Sequence, residues 1–143
     1  MFEALHLRQQ VFVLEQQCLY PDIDLIDLEA LHLVGRGDDG ALIAYLRIIP
    51  PLGKYPGPAI GRVVTAANAR GGGLGRTLML EGIRQTQAQF PGSDLFLSGQ
   101  TYLQAFYESL GFEAVGEPFD EDGIEHIEMV GRHDRLKDEM SHS

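Results

Sequence analysis

The first chemical feature of the sequence is a glycine-dense stretch, residues 70–76, which reads Arg-Gly-Gly-Gly-Leu-Gly-Arg. It stands between a predicted buried strand and a predicted amphipathic helix. Glycines at a helix start leave backbone N–H groups open to an anion, and the helix dipole adds to that attraction. Arg70 and Arg76 place positive charge on either side of the loop. The pattern predicts a cradle for a phosphate or pyrophosphate group; the alternative is a glycine-rich turn that only caps the helix.

The spacing of the glycines decides which known type of phosphate-binding loop this stretch fits. A Walker loop ends in Lys followed by Ser or Thr, whereas Gly75 is followed by Arg76. A dinucleotide fingerprint that begins at Gly71 would need a third glycine at the position of Arg76. The spacing that fits is Arg-x-x-Gly-x-Gly, which Arg70, Gly73 and Gly75 satisfy.

Hydrophobic periodicity and turn residues predict the elements around this loop. The predicted helices cover residues 2 to roughly 17, 74 to about 89, and 102–110. The predicted strands cover 31–35, 41–49, 59–65 and 95–97, followed by a hairpin of 112–119 and 124–130. This order predicts a mixed α/β fold (α+β in some schemes), a single domain over residues 1–143 with a central sheet flanked by helices. A polar tail is expected from about residue 132.

The composition of the chain limits the classes of molecule that are expected as its binding partners. The formal net charge of −10 argues against nucleic acid. No apolar run reaches membrane-spanning length, so no membrane partner is expected. The single cysteine, Cys18, cannot form an internal disulfide, which fits a reducing cytoplasm. No metal-ligand spacing occurs, and no metal is expected.

Three sets of residues carry a family resemblance. The strand, the Arg-x-x-Gly-x-Gly loop and the helix resemble the main cofactor motif of the GNAT acetyltransferase superfamily. Residues 105–107, Ala-Phe-Tyr, followed by the Leu-Gly-Phe of 110–112, resemble its later tyrosine-helix motif. A narrower match is to the ElaA-like branch, in residues 7–16, Tyr-Pro-Asp-Ile-Asp of 20–24 and Glu-Asp-Gly-Ile-Glu-His-Ile of 121–127. This resemblance extends over nearly the whole chain up to the polar tail.

The resemblance implies transfer of an acetyl group from acetyl-CoA to an amine in a ternary complex. It implies that the coenzyme pyrophosphate rests on the loop and helix start, formed by Arg70, Gly71, Gly72, Gly73, Leu74, Gly75 and Arg76. Backbone groups of Val63 and Val64 would pair with the pantetheine arm, and the amide of Gln100 could bond to it. Tyr107 would protonate the leaving thiolate, although its spacing alone also fits an apolar helix stripe.

The general base is left open among several residues. His126 has a suitable ordinary pKa and lies on the last hairpin, where such folds build the acceptor side. Alternation places Glu128 on the same strand face as His126. Three further candidates are Glu15, Asp24 and His32. Each of these residues could instead be a surface or hydrogen-bonded side chain.

The sequence departs from the superfamily pattern at its start, where Met1 opens almost directly into a helix. The first strand is apparently absent, which would leave a sheet edge exposed and favour a homodimer. The leading interpretation is an acetyl-CoA-dependent N-acetyltransferase for a primary amine of a small molecule or peptide. The alternatives are a non-catalytic acyl-CoA-binding or interaction module and an enzyme like the acyl-homoserine-lactone synthases.

Overall fold

The computed structural model describes residues 2–8, 27, 29–51, 55–66, 73–121 and 123–136. Its helices are α1 (Phe2–Arg8), α2 (Leu74–Gln89) and α3 (Gln104–Ser109), with a short turn of 3-10 helix at Thr101–Leu103 before α3. Its strands are β1 (Leu31–Arg36), β2 (Leu42–Ile49), β3 (Ala59–Thr65), β4 (Leu95–Gln100), β5 (Phe112–Glu121) and β6 (Ile124–Gly131). The predicted mixed α/β fold is confirmed.

The strands form one six-stranded sheet in the order β1-β2-β3-β4-β6-β5. Only the β3–β4 pair is parallel; the other four neighbouring pairs are antiparallel. A parallel pair needs a crossover connection, and α2 supplies it here. The β1–β2 and β5–β6 hairpins close on turns that contain Gly40 and Gly123, both at positive φ (84° each).

The two faces of the sheet are covered differently. The α2 face carries Leu46, Ile60, Leu97 and Met129, which form the main core with α2 and α3. The opposite face, here the α1 face, carries Tyr45 and Val64 under α1, and farther along Ser98, His126 and Glu128. Period-two alternation assigns these residues, because partners in register share a face. The predicted alternation in β6 is confirmed, since Ile127 and Met129 are buried and His126 and Glu128 are half-buried.

The central parallel pair separates soon after it forms. Ladder pairing between the described strands β3 and β4 is confined to Ala59 and Phe96. On the other side of β3 the register with β2 shifts between Tyr45 and Arg47, and Arg62 has a positive φ of 51°. A bulge of this kind bends its strand and increases local twist. We call the space beyond Ala59 and Phe96 the β3–β4 gap.

Most predicted boundaries agree with the structure. β3 and α2 begin and end where they were predicted, whereas β4 continues three residues beyond the predicted 95–97, to Gln100. The predicted helix 102–110 begins as a 3-10 turn and becomes α-helical at Gln104. The predicted first helix is observed over Phe2–Arg8, and its remainder lies outside the described residues.

Candidate active site

The start of α2 is a glycine junction against α3. Gly73 is the N-cap of α2 in the left-handed conformation, with φ 78°. Among the described residues, apart from its chain neighbours, no atom lies within 4 Å of the position of an added Cβ. A Cβ on Gly75 would lie 3.8 Å from Cζ of Phe106 in α3. The guanidinium of Arg76 donates to Oγ of Ser109 at 3.4 Å. The loop end and the tyrosine helix, predicted separately, are therefore neighbours.

This helix start has the electrostatics of an anion site. The first intrahelical bond of α2 runs from the N–H of Thr77 to the carbonyl of Gly73, at 3.1 Å. The N–H groups of residues 74–76 precede that bond and so have no intrahelical acceptor. The first turn contains no acidic residue that would offset the dipole. Of the predicted loop, Arg70, Gly71 and Gly72 lie outside the described residues.

Tyr107 lies on the α2 face, packed against β4. Its side chain is 6% exposed, and its ring meets Phe112 edge-on with centroids 6.3 Å apart. A Cβ on Gly99 would come within 2.9 Å of Cε2 of Tyr107, closer than real Cβ atoms approach. Gly99 therefore lets the tyrosine ring lie directly on the backbone of β4, beside the β3–β4 gap.

Burial changes what Tyr107 can do chemically. Desolvation of the charged form raises the pKa of Tyr107 to about 12. The hydroxyl is therefore protonated at neutral pH, as a proton donor must be. An unperturbed phenol and thiol differ in pKa by about 1.5 units, but with a thiol near 8.5 and Tyr107 at about 12 the difference grows to roughly 3.5 units. In this environment the phenol serves better as a hydrogen-bond donor to a developing thiolate than as the source of a fully transferred proton.

The residues predicted to bind the pantetheine arm flank the gap. Val63 packs toward the main core, whereas Val64 is 3% exposed and packs under α1. Both lie in β3 beyond its one ladder pair with β4, on the stretch where the two strands have separated. Gln100 ends β4 opposite His126 of β6. The structure thus places all three predicted residues along the two margins of the gap.

His126 lies on the α1 face with both ring nitrogens near partners. Its Nδ1 is 2.7 Å from the carbonyl oxygen of Ile124, so Nδ1 carries the hydrogen, since a carbonyl only accepts. The other nitrogen, Nε2, faces Oε2 of Glu121 at 3.5 Å. His126 and Glu121 thus form a local pair at the end of the β5–β6 hairpin, which reduces the case for His126 as the base.

A second polar pair lies closer to where the strands part. The hydroxyl of Tyr55 donates to the carboxylate of Glu128, and its ring stacks on Phe96 with centroids 5.3 Å apart. Ser98 stands opposite Glu128 in the ladder and donates to Glu121 at 3.3 Å. Tyr55, Gly99 and Glu121 had no predicted role in the site. An aromatic residue isolated in a Pro- and Gly-rich loop was the one available signal for Tyr55.

Of the remaining base candidates, Glu15 and Asp24 lie outside the described residues. His32 lies on β1 in a buried polar cluster, where its Nε2 donates to the carbonyl oxygen of Asp27 at 3.0 Å. That bond leaves Nδ1 to accept from the hydroxyl of Tyr45. His32 is therefore engaged through both nitrogens in holding its own neighbourhood together.

The centre of that cluster is a carboxylate between two buried guanidiniums. Asp27 accepts from Nη1 of Arg8 at 2.8 Å and from Nη1 of Arg47 at 3.0 Å. The side chains of Arg8 and Arg47 are 0% and 4% exposed. Arg8 also donates to the hydroxyl of Tyr45 at 3.4 Å. The cluster ties α1, β1 and β2 to the segment around Asp27.

The described residues contain neither a candidate metal site nor a helix that could span a membrane. Within the described residues, no group of three or more His, Cys, Asp or Glu side chains is arranged to hold a metal ion. In the same part of the chain, no helix is long and apolar enough to cross a bilayer.

Comparison with known proteins places the chain in a family. Residues 7–132 match the family described as Acetyltransferase (GNAT) domain. The UPF0039 protein sll0451 of Synechocystis is 46% identical over 132 residues, which is 92% of this chain and 86% of that protein. Protein ElaA of Escherichia coli is 39% identical over 132 residues, covering 91% and 86% of the two chains.

Two solved structures agree with the sequence matches. The crystal structure of Escherichia coli ElaA superposes with a TM-score of 0.84 and 38% identity, covering 92% of this chain and 88% of that one. An acyl-CoA N-acyltransferase from Pseudomonas aeruginosa gives a TM-score of 0.83 at 40% identity, covering 90% and 88%. The predicted resemblance is confirmed. The chain belongs to the GNAT family of acyl-CoA-dependent acyltransferases, as an ElaA-like member.

Proposed function

We propose that this protein is an acetyl-CoA-dependent N-acetyltransferase that moves an acetyl group to a primary amine of a small molecule or peptide through a ternary complex. The observation that carries the proposal is the β3–β4 gap, with the positive end of α2 beside it and the Tyr107 ring on its other margin. A separated parallel pair leaves strand backbone available to pair with an extended ligand arm.

The glycine junction fits the coenzyme on chemical grounds. Gly73 is at positive φ, and no described residue beyond its chain neighbours fills the space at its Cβ position, which favours close approach to its backbone. The N–H groups that follow it, together with Arg76, would hold a pyrophosphate by charge-assisted hydrogen bonds. When bound, acetyl-CoA supplies an activated acyl group as a thioester. Arg70, Gly71 and Gly72 complete the proposed cradle.

The chain's own residues then have separate tasks. Backbone groups of Val63 and Val64 would align the arm in the gap, and Gln100 would bond to its amides. The Tyr107 hydroxyl would donate to the sulfur as it gains negative charge. His126 or another group on the α1 face would take a proton from the acceptor ammonium before the neutral amine attacks. Acceptor and coenzyme would therefore meet from opposite sides of the sheet.

The first experiment is calorimetric titration with acetyl-CoA, repeated on Gly73→Glu and Gly92→Glu. Both glycines have a positive φ, 78° and 77°, and in the described part of the chain neither has an atom beyond its chain neighbours within 4 Å of its Cβ position. The two variants carry the same charge and the same backbone strain at opposite ends of α2. We expect acetyl-CoA binding to be lost in Gly73→Glu and retained in Gly92→Glu.

Turnover decides among the remaining alternatives. A thiol-release assay with a panel of primary amines should show amine-dependent CoA formation, and acyl-CoAs of increasing chain length should be poorer donors than acetyl-CoA. Binding without turnover for any amine would instead favour a non-catalytic acyl-CoA-binding module. No binding by the unchanged chain would contradict the proposal.

A further inference from the structure

Tyr55 occupies a special position on the α1 face, directly above the point where β3 and β4 part. Its ring lies nearly parallel to that of Phe96, at 13° and 5.3 Å between centroids. Phe96 is the β4 member of the one ladder pair between the two strands. The preceding loop thus places an aromatic ring at the closed end of the gap, on the side away from Tyr107.

The hydroxyl of Tyr55 fixes the carboxylate of Glu128 across the sheet. Tyr55 donates to Oε2 of Glu128, a residue 73 positions later in the chain. Burial and this carboxylate raise the pKa of Tyr55, so the phenol remains the donor. A stacked ring has little rotational freedom, and its hydroxyl therefore holds one carboxylate oxygen in a defined place.

Glu128 is better placed than His126 for work at the gap. It stands opposite Ser98 of β4, one strand from the gap, and both residues point to the α1 face. His126 stands opposite Gln100, where its nitrogens face Ile124 and Glu121. Within the described residues Glu128 has Tyr55 as its one hydrogen-bond partner, which involves only one carboxylate oxygen.

Resting on the proposed function, we infer that Glu128 takes the proton of the acceptor ammonium and that Tyr55 is the positioning residue that aims its carboxylate. Glu128 first takes one proton from the ammonium, which frees the nitrogen lone pair for attack. The N–C bond then forms and the C–S bond breaks. The nitrogen gives up a second proton to solvent, and the departing sulfur takes one proton from solvent while Tyr107 donates a hydrogen bond to it. The products are an amide, CoA with a free thiol, and one proton, which Glu128 releases to water.

The test compares Tyr55→Phe, Glu128→Gln and the matched control Tyr102→Phe in the full chain, with acetyl-CoA and ethylamine as probes. Tyr55→Phe keeps the stack on Phe96 and removes only the hydroxyl. Tyr102 is 72% exposed, so its hydroxyl is expected to be dispensable. We expect kcat to fall by roughly 10²–10⁴-fold in Glu128→Gln and by about tenfold in Tyr55→Phe. The KM for acetyl-CoA should not change.

Two readouts separate positioning from a structural effect. Because Tyr55 acts only through the position of the Glu128 carboxylate, Tyr55→Phe should lower kcat for ethylamine and leave the KM for acetyl-CoA unchanged. Hydroxylamine, which is largely neutral at pH 7, should lose much less rate than ethylamine in both variants.

The outcomes are distinct. Turnover by the unchanged chain together with an unaltered kcat in Tyr55→Phe would overturn the positioning role. An equal loss of rate for ethylamine and hydroxylamine in Glu128→Gln would overturn proton removal by Glu128. Absence of turnover by the unchanged chain with any amine would overturn the proposed function, and this inference with it.

Discussion

The two faces of the sheet use opposite physical means to hold the site. On the α2 face, apolar side chains pack α2 and α3 over the strands, and Tyr107 is embedded among them. On the α1 face, the described residues combine a small apolar cluster under α1 with charged and hydrogen-bonding groups, from the Arg8–Asp27–Arg47 cluster to the Tyr55–Glu128 pair. Packing is tolerant of exchange between similar shapes, whereas a buried ion depends on every partner. The faces should therefore respond differently to small chemical changes.

The largest effect should come from Asp27→Asn. This change removes the carboxylate to which the buried side chains of Arg8 and Arg47 both donate, and breaking a buried ion pair in this way typically costs about 3–5 kcal/mol. Urea unfolding should show that loss as a lower midpoint. The matched control is Asp38→Asn, at an exposed turn position, which should unfold close to the unchanged chain. Equal midpoints for the two variants would mean that the cluster contributes little to stability.

The next effect concerns Tyr107 at high pH. Its pKa rises from 10.0 to about 12 on folding, so the unfolded chain loses this proton first as pH increases. The contribution of this group to the free energy of unfolding is therefore fully present below pH 10. It decreases by roughly 2–3 kcal/mol as the pH rises to about 12. Urea unfolding of Tyr107→Phe should lack that part of the loss of stability at alkaline pH.

In the same variant kcat should fall strongly while acetyl-CoA binding persists. An unchanged kcat would mean that Tyr107 contributes only packing.

A smaller effect should distinguish packing near the site from packing elsewhere on the α2 face. A Cβ would come within 2.9 Å of Tyr107 at Gly99 and within 2.8 Å of Leu136 at Gly131. Gly99→Ala and Gly131→Ala should each cost about 1–3 kcal/mol by overpacking. Only Gly99→Ala should lower kcat by more than its loss of folded protein explains, because only that change displaces the tyrosine ring. Equal activity of the two variants would argue that the ring position is unimportant.

The smallest effect is expected at the outer ion pair of α1. Glu3 accepts from Arg36 at 3.0 Å, with the two side chains 57% and 47% exposed. Such pairs are screened by water and salt, so Glu3→Gln should leave the unfolding midpoint nearly unchanged. A large shift of the midpoint would show that this exposed ion pair contributes to stability as a buried pair does.

The sequence predicted the two faces unequally. Periodicity located α2, with buried Leu78, Met79 and Ile83, because one continuous helix buries a single apolar stripe. It also found the apolar pattern of β2, but not that Arg47 within it would be buried against Asp27. A charge in a strand ordinarily indicates a solvent-facing position, and its partner lies twenty residues away in the sequence.

The candidate site shows the same limit. Local patterns identified Gly73 and Tyr107, since each belongs to a contiguous motif. The bulge at Arg62 was not predictable, because a positive φ is uncommon outside glycine. Tyr55 and Glu128 meet across 73 positions, and no local periodicity carries such a pairing. Long-range polar contacts depend on strand order, which sequence reasoning had not assigned.

The single ladder pair at Ala59 and Phe96 also marks where two halves of the described chain meet. The strands β1, β2 and β3, with α1 and α2, form one half, and β4, β6 and β5, with α3, form the other. Among the described residues the two halves share an apolar core, but their strands pair only at this point. Gly73 and Tyr107, the two site residues that local motifs predicted, lie in different halves. Their relative position therefore depends on side-chain contacts between the halves, such as that of Arg76 with Ser109, more than on strand pairing.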